Sequence, residues 1–187
     1  IARSRHGNGK LTGPVVGTLM SNLGLELALK DAGITLLRAG VGDRYVLEML
    51  QANEGMLGGE SSGHIICLDR TTTGDGIVSA LQVLAAMVQT GSSLQQLRQG
   101  MSLFPQIMIN VPLAERIDVT SNPGVQQAVC EAEASMQGKG RVLLRPSGTE
   151  PLIRVMVEGE DETLVRQQAE YLARVVEQAV ERQIRSA

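Results

Sequence analysis

The sequence has almost no aromatic side chains: no Trp, one Phe and two Tyr. Without flat rings there is no stacking platform for nucleic-acid bases, and the core must be built from Leu, Ile, Val, Met and Ala. Charge of one sign is also missing. Seventeen Lys and Arg stand against twenty Asp and Glu, a net charge of -3, so there is no basic stripe for a phosphate backbone. The excess of acid is too small, and the apolar fraction of 43% too high, for a disordered acidic chain. Nucleic acid is therefore not an expected partner. The two cysteines, Cys67 and Cys130, lack the spacing of a zinc site or a disulfide framework. Cys67, inside Ile65–Leu68, reads as a small core residue. No apolar run approaches the ~18 residues of a membrane span, and no signal peptide is visible, so a cytoplasmic location is expected. The first residue is Ile1 and the opening reads as the middle of something, so a piece of a longer protein is expected.

Two units are legible. Residues 1–13 are polar and Gly-rich and read as a lead-in, with Arg3, Arg5 and Lys10 solvated. Val15–Met20 reads as a buried strand. Ser21 or Asn22 caps a helix carrying Leu25, Ala28, Leu29 and Ala32, and Gly33 stops it. Ile34–Leu37 resumes as strand, giving a βαβ unit and a parallel pair. A helix over 43–51, short strands at Met56–Leu57 and Ile65–Leu68, and a long helix over 75–89 follow. The buried stripe of that long helix is read as Ile77, Val78, Leu81, Leu84, Ala85 and Val88.

The boundary is placed at Phe104-Pro105, which gives domains of 1–104 and 105–187. The second unit reads as strand (106–111), helix (123–136), two strands (141–144 and 152–157) and a last helix (161–182). Leu164, Gln168, Leu172, Val175, Val176 and Ala179 are read as one face of that helix. The fold class is α/β: a mixed α/β domain, then a smaller α+β domain with an antiparallel sheet and helices on one face.

Two polar loops interrupt these apolar strands. Arg145-Pro146-Ser147-Gly148-Thr149-Glu150-Pro151 offers a planar guanidinium fork, two hydroxyls and a glycine beside which backbone N–H groups can approach an anion. An ordinary hairpin with a surface Arg is the alternative, and Glu150 would repel an anion unless turned away or paired with Arg154. Gly59-Glu60-Ser61-Ser62-Gly63-His64 sets a carboxylate, hydroxyls and an imidazole on one turn. A carboxylate between glycines suits acceptance from two adjacent sugar hydroxyls. The alternative is a solvated Glu and a His packed at a strand start. Thr71-Thr72-Thr73-Gly74-Asp75-Gly76 places one carboxylate where a Mg²⁺ site needs several oxygens, so Asp75 is read as a helix cap and no metal ligand is expected in this chain.

The run from Arg145 to Val155 resembles the phosphate-binding loop of the α-D-phosphohexomutase superfamily, and onward to Gly159 it is especially similar to the phosphoglucosamine mutases. Gly59, Glu60, Ser62, Gly63 and His64 match that superfamily's sugar-binding loop, Gly-Glu-x-Ser-Gly-His. Val41-Gly42-Asp43-Arg44-Tyr45 is similar to a further segment at its cleft, though Asp43 and Arg44 equally suit an N-cap and a first-turn surface charge. The resemblance runs from about Val15 to the last helix and implies the third and fourth domains of a four-domain mutase.

It further implies that Arg145, Ser147, Gly148 and Thr149 hold the phosphate that is not being transferred. Glu60 and Ser62 would contact the hexose, with His64 nearby, and Asp43, Arg44 and Arg154 would support the site. The implied reaction interconverts glucosamine 6-phosphate and glucosamine 1-phosphate through a phosphoserine and a bisphosphate intermediate, with Mg²⁺, toward UDP-N-acetylglucosamine and cell-wall precursors. Nothing in the sequence matches the superfamily's serine loop or its triple-Asp Mg²⁺ loop. The missing N-terminal domains are thus expected partners beside the phosphosugar, a homodimer is possible for the whole enzyme, and the chain alone is expected to be inactive. A phosphomannomutase or phosphoglucomutase piece, and a stand-alone phosphosugar-binding module, stand as alternatives.

Overall fold

The computed structural model describes residues 1–113 and 117–185. The chain divides into two compact units, Ile1–Leu103 and Phe104–Ala187.

The first unit runs α1 (Ala2–Gly7), β1 (Val15–Thr18), α2 (Leu23–Asp31), β2 (Leu36–Ala39), α3 (Asp43–Ala52), β3 (Leu57–Gly59), β4 (Ile65–Cys67), α4 (Gly76–Thr90) and α5 (Leu94–Leu97). The sheet order is β2-β1-β3-β4. β1 pairs in parallel with β2 and β3, and β4 closes the edge antiparallel to β3. Successive strand residues face opposite sides, so Val15 and Val16 found two cores. Val15 packs with Leu29 and Ile34 from α2 and its exit, while Val16 packs with Val46 and Leu50 from α3. Asn22 caps α2 by accepting from the Gly24 N–H at 3.0 Å, and Asp75 caps α4 by accepting from the Val78 N–H at 2.8 Å.

Several expectations for this unit are corrected. The lead-in contains a helix, α1, whose Ile1 and Ala2 pack on the core. Arg5 is not solvated: it pairs with Asp69 at 2.8 Å and donates to Gln82 Oε1 at 2.9 Å, with its side chain only 11% exposed. Arg3 and Lys10 are exposed as expected, and Arg3 donates to the Leu97 carbonyl at 2.6 Å. The second strand starts at Leu36 because the Ile34 N–H still bonds the Leu29 carbonyl, finishing the helix.

The face of α4 is also corrected. Its buried residues are Ser79 and Ala86, whereas Ile77, Leu81, Leu84 and Val88 are exposed. The helix is apolar almost all round, so periodicity does not single out its inner side. The small residues sit inward, and Ser79 Oγ donates to the Asp75 carbonyl at 2.6 Å.

The second unit runs β5 (Gln106–Pro112), α6 (Pro123–Ser135), β6 (Gly140–Pro146), β7 (Leu152–Gly159) and α7 (Glu162–Arg185). Its antiparallel sheet has the order β5-β7-β6. Val111, Ile153, Val155 and Val157 of the sheet meet Val125, Ala128 and Ala132 of α6 and Leu172 and Val176 of α7 in one core. Pro123 occupies the first turn of α6, where its missing N–H costs nothing, and Asn122 caps it. The expected stripe of α7 is buried at Leu172, Val176 and Ala179; toward the helix start the buried face lies one residue on, at Val165 and Ala169, and Leu164, Gln168 and Val175 lie at the half-buried edge. With Gln168 at the edge, its amide end need not be desolvated.

Candidate functional site

In the first unit, the segments leaving the C-terminal ends of parallel strands β1, β2 and β3 carry Ser21–Asn22, Val41–Asp43 and Glu60–His64. Open α/β sheets bind ligands at this edge. The β1 exit is fixed by Arg38 on β2. Its guanidinium donates to the Thr18 and Ser21 carbonyls at 3.1 and 2.6 Å and pairs with Glu26 at 2.8 Å. A lone Arg in an apolar strand gave no sign of this clamp in the sequence.

The β3–β4 turn is closed by its own backbone. The Glu60 N–H donates to the His64 carbonyl and the Gly63 N–H to the Glu60 carbonyl, both at 3.0 Å. Gly63 sits at φ +92°, a conformation that only glycine adopts without strain. Glu60 is half-buried, while Ser61 and Ser62 are exposed. The Glu60 carboxylate and Ser62 hydroxyl are thus presented on one short turn. His64 is half-buried; its Nε2 is shut off from solvent, takes no hydrogen bond, and lies 3.9 Å from Asp43 Oδ2. Asp43 opens α3, so its side chain reaches the neighbouring turn. Arg44 does not: its Nε donates to Glu48 Oε1 at 2.8 Å along the same helix, and that bond raises its pKa.

In the second unit the β6–β7 register puts Arg145 directly opposite Arg154. Two cations facing each other across a ladder repel. The Nε of each is buried and unpaired. Burial, with the Arg154 charge beside it, lowers the pKa of the Arg145 guanidinium, which nonetheless stays protonated at any ordinary pH. Glu150 pairs with Arg154 at 3.4 Å, which meets the condition the sequence set for an anion nearby.

Ser147 is buried. Its N–H donates to the Leu152 carbonyl at 2.8 Å, and its Oγ accepts from the Glu150 N–H at 3.3 Å, holding the tip closed. Gly148 and Thr149 are exposed at that tip, and space beside Gly148 is open. Crowded guanidinium groups with unused donors, next to hydroxyls and an open backbone, are what a bound oxyanion would neutralise.

Among the described residues, no three His, Cys, Asp or Glu side chains converge as metal ligands would. The described residues therefore do not fit Mg²⁺.

The fold and both loops define a class. A family model for phosphoglucomutase/phosphomannomutase, alpha/beta/alpha domain III, matches residues 1–104, and one for the C-terminal domain of the same enzymes matches residues 108–175. The chain belongs to the phosphoglucomutase/phosphomannomutase family. Within it, the chain is 62% identical over 179 residues to the phosphoglucosamine mutase of Methylococcus capsulatus, covering 96% of this chain and 40% of that protein. The resemblance read from the loops is borne out. The chain spans about 40% of the length of the curated relatives it matches.

Solved structures agree on the fold. N-acetylphosphoglucosamine mutase of Aspergillus fumigatus, in complex with GlcNAc-6P and magnesium, superposes with a TM-score of 0.76 at 21% identity, over 94% of this chain and 45% of that one. A serine-to-alanine variant of that mutase, in complex with glucose 1,6-bisphosphate, gives 0.75 at 22% identity, over 95% and 40%.

Proposed function

We propose that this chain is the substrate-binding part of a phosphoglucosamine mutase, the enzyme that interconverts glucosamine 6-phosphate and glucosamine 1-phosphate. Arg145 and Arg154, with Ser147, Gly148 and Thr149, hold the phosphate that stays in place. Glu60 and Ser62 accept and donate hydrogen bonds to the hexose hydroxyls. Phosphoryl transfer depends mainly on positioning and on neutralising charge. These loops position; the phosphoserine, Mg²⁺ and bisphosphate intermediate belong to the whole enzyme, which acts on soluble amino-sugar phosphates in the cytoplasm. A sugar that reverses between two half-reactions needs acceptors that serve both orientations, and a carboxylate with several lone pairs supplies them.

The observation that carries this reading is the cross-strand Arg145–Arg154 pair with both Nε atoms unused. Like charges facing each other on a ladder are unfavourable until an anion bridges them.

Calorimetric titration of glucosamine 6-phosphate into the chain tests it. Wild type should bind, and Arg145→Ala should weaken binding about 10- to 100-fold, the effect of losing a charge-assisted hydrogen-bond pair. The unfolding midpoint should hold or rise, because a repulsion is removed. Equal binding by both forms would overturn the assignment of Arg145.

A further inference from the structure

The segment Thr71–Gly76 has a role beyond capping α4. Gly74 forms a β-bridge with Ile66, which lays its backbone beside β4. The Cδ2–Nε2 edge of the His64 imidazole rests on that backbone, and a Cβ at position 74 would overlap it. Gly74 is not among the residues with positive φ, so an alanine there meets no backbone strain, only the ring. Asp43 Oδ2 stands 3.9 Å from the same Nε2. Two separate elements, the start of α3 and the segment before α4, thus converge on one edge of an imidazole carried by the turn before β4.

We propose that Asp43 and Gly74 are positioning residues for His64. Gly74 supplies the space that lets the ring lie flat against the backbone, and Asp43 orients it. A ring nitrogen closed off from water without a partner is unfavourable. A shift of about 1 Å brings Nε2 within hydrogen-bond reach of the Asp43 carboxylate. That bond fixes the proton on Nε2. Nδ1 then becomes an acceptor of fixed direction on the turn that carries Glu60 and Ser62. An acceptor held by elements outside its own turn keeps its aim while a sugar turns over in front of it. The inference rests on the sugar-binding reading of the Glu60–His64 turn only for the identity of the ligand.

The chain has two histidines, so ¹⁵N-histidine NMR reads His64 directly with His6 as internal reference. In the unliganded wild type, His64 should show the Nε2-protonated tautomer at neutral pH. Asp43→Ala should convert it to a tautomer mixture without lowering the unfolding midpoint. Gly74→Ala should move the His64 signals, lower the unfolding midpoint and weaken glucosamine 6-phosphate binding about tenfold. In a His64→Ala background the Gly74→Ala loss of stability should disappear, the non-additivity of touching groups.

An unchanged tautomer in Asp43→Ala would overturn the role of Asp43. An additive Gly74→Ala effect would overturn that of Gly74. If Gly74→Ala alone fails to fold, a folded Gly74→Ala/His64→Ala protein establishes the overlap, and an unfolded one refutes it. The NMR and stability readings need no ligand. Absence of sugar binding in wild type therefore sinks the function proposed above and leaves the seat standing.

Discussion

The β3–β4 turn hangs on two strands of three residues each, whereas the β6–β7 loop crowns strands of seven and eight. The short hairpin is shaped by its own backbone bonds and by neighbours that lean on it: the start of α3, and Gly74. The long one is shaped by its ladder. Within that ladder, Arg141 faces Glu158 at one end and Arg145 faces Arg154 toward the other, all on one side of the sheet. The first pair is neutralised, with Arg141 Nε 2.7 Å from the fully buried Glu158 carboxylate. The second keeps like charges face to face, with only the more exposed Glu150 reaching Arg154, at 3.4 Å. A polar turn can be preorganised by adding supports from outside. A cationic one is preorganised by a sheet stiff enough to hold like charges together, and its far end shows the arrangement stability alone would favour.

The comparison can be broken at several points. Glu158→Ala has the largest expected effect. It removes the buried carboxylate that Arg141 Nε bonds at 2.7 Å and should cost about 3 kcal/mol in denaturant unfolding. A loss much below that would mean the ladder does not depend on its neutral end. Glu60→Gln comes next. Replacing a charged acceptor with a neutral one should weaken glucosamine 6-phosphate about fivefold, close to 1 kcal/mol, with the unfolding midpoint unchanged. No change in affinity would take Glu60 out of the sugar site. Arg44→Ala should do least, leaving binding and unfolding unchanged, because its guanidinium is spent on Glu48 at the surface. A drop in affinity would show that Arg44 swings to the ligand.

Much of this was readable before the fold. Asn22 and Asp75 announce their helices because a short polar side chain is the acceptor a first turn lacks. The alternation from strand to helix to strand gave the parallel pair, and the two loops stood out because they break apolar runs with groups that core packing does not use. What failed to show were partners far apart in sequence. Arg5 reads as solvent-exposed until Asp69 and Gln82 are beside it, sixty-four and seventy-seven residues away. Gly74 reads as part of a cap until His64 lies on it. On α7 the amphipathic stripe was legible, but its first turns were off by one residue, since 3.6 residues per turn leaves neighbouring positions nearly equivalent. On α4, apolar residues on most sides left the inner face to be chosen by size, which periodicity does not weigh.

That helix has one further consequence. The fifteen residues of α4 carry no charged side chain, and Ile77, Leu81, Leu84 and Val88 line its outward side. Any surface that meets this stripe meets carbon alone. Such an association has no ion pairs from α4 for added salt to screen, and it strengthens as the temperature rises from near freezing, where the water around apolar groups is least reluctant to hold them. Ionic strength would govern ligand capture at the arginine pair, and warmth would govern adhesion at α4.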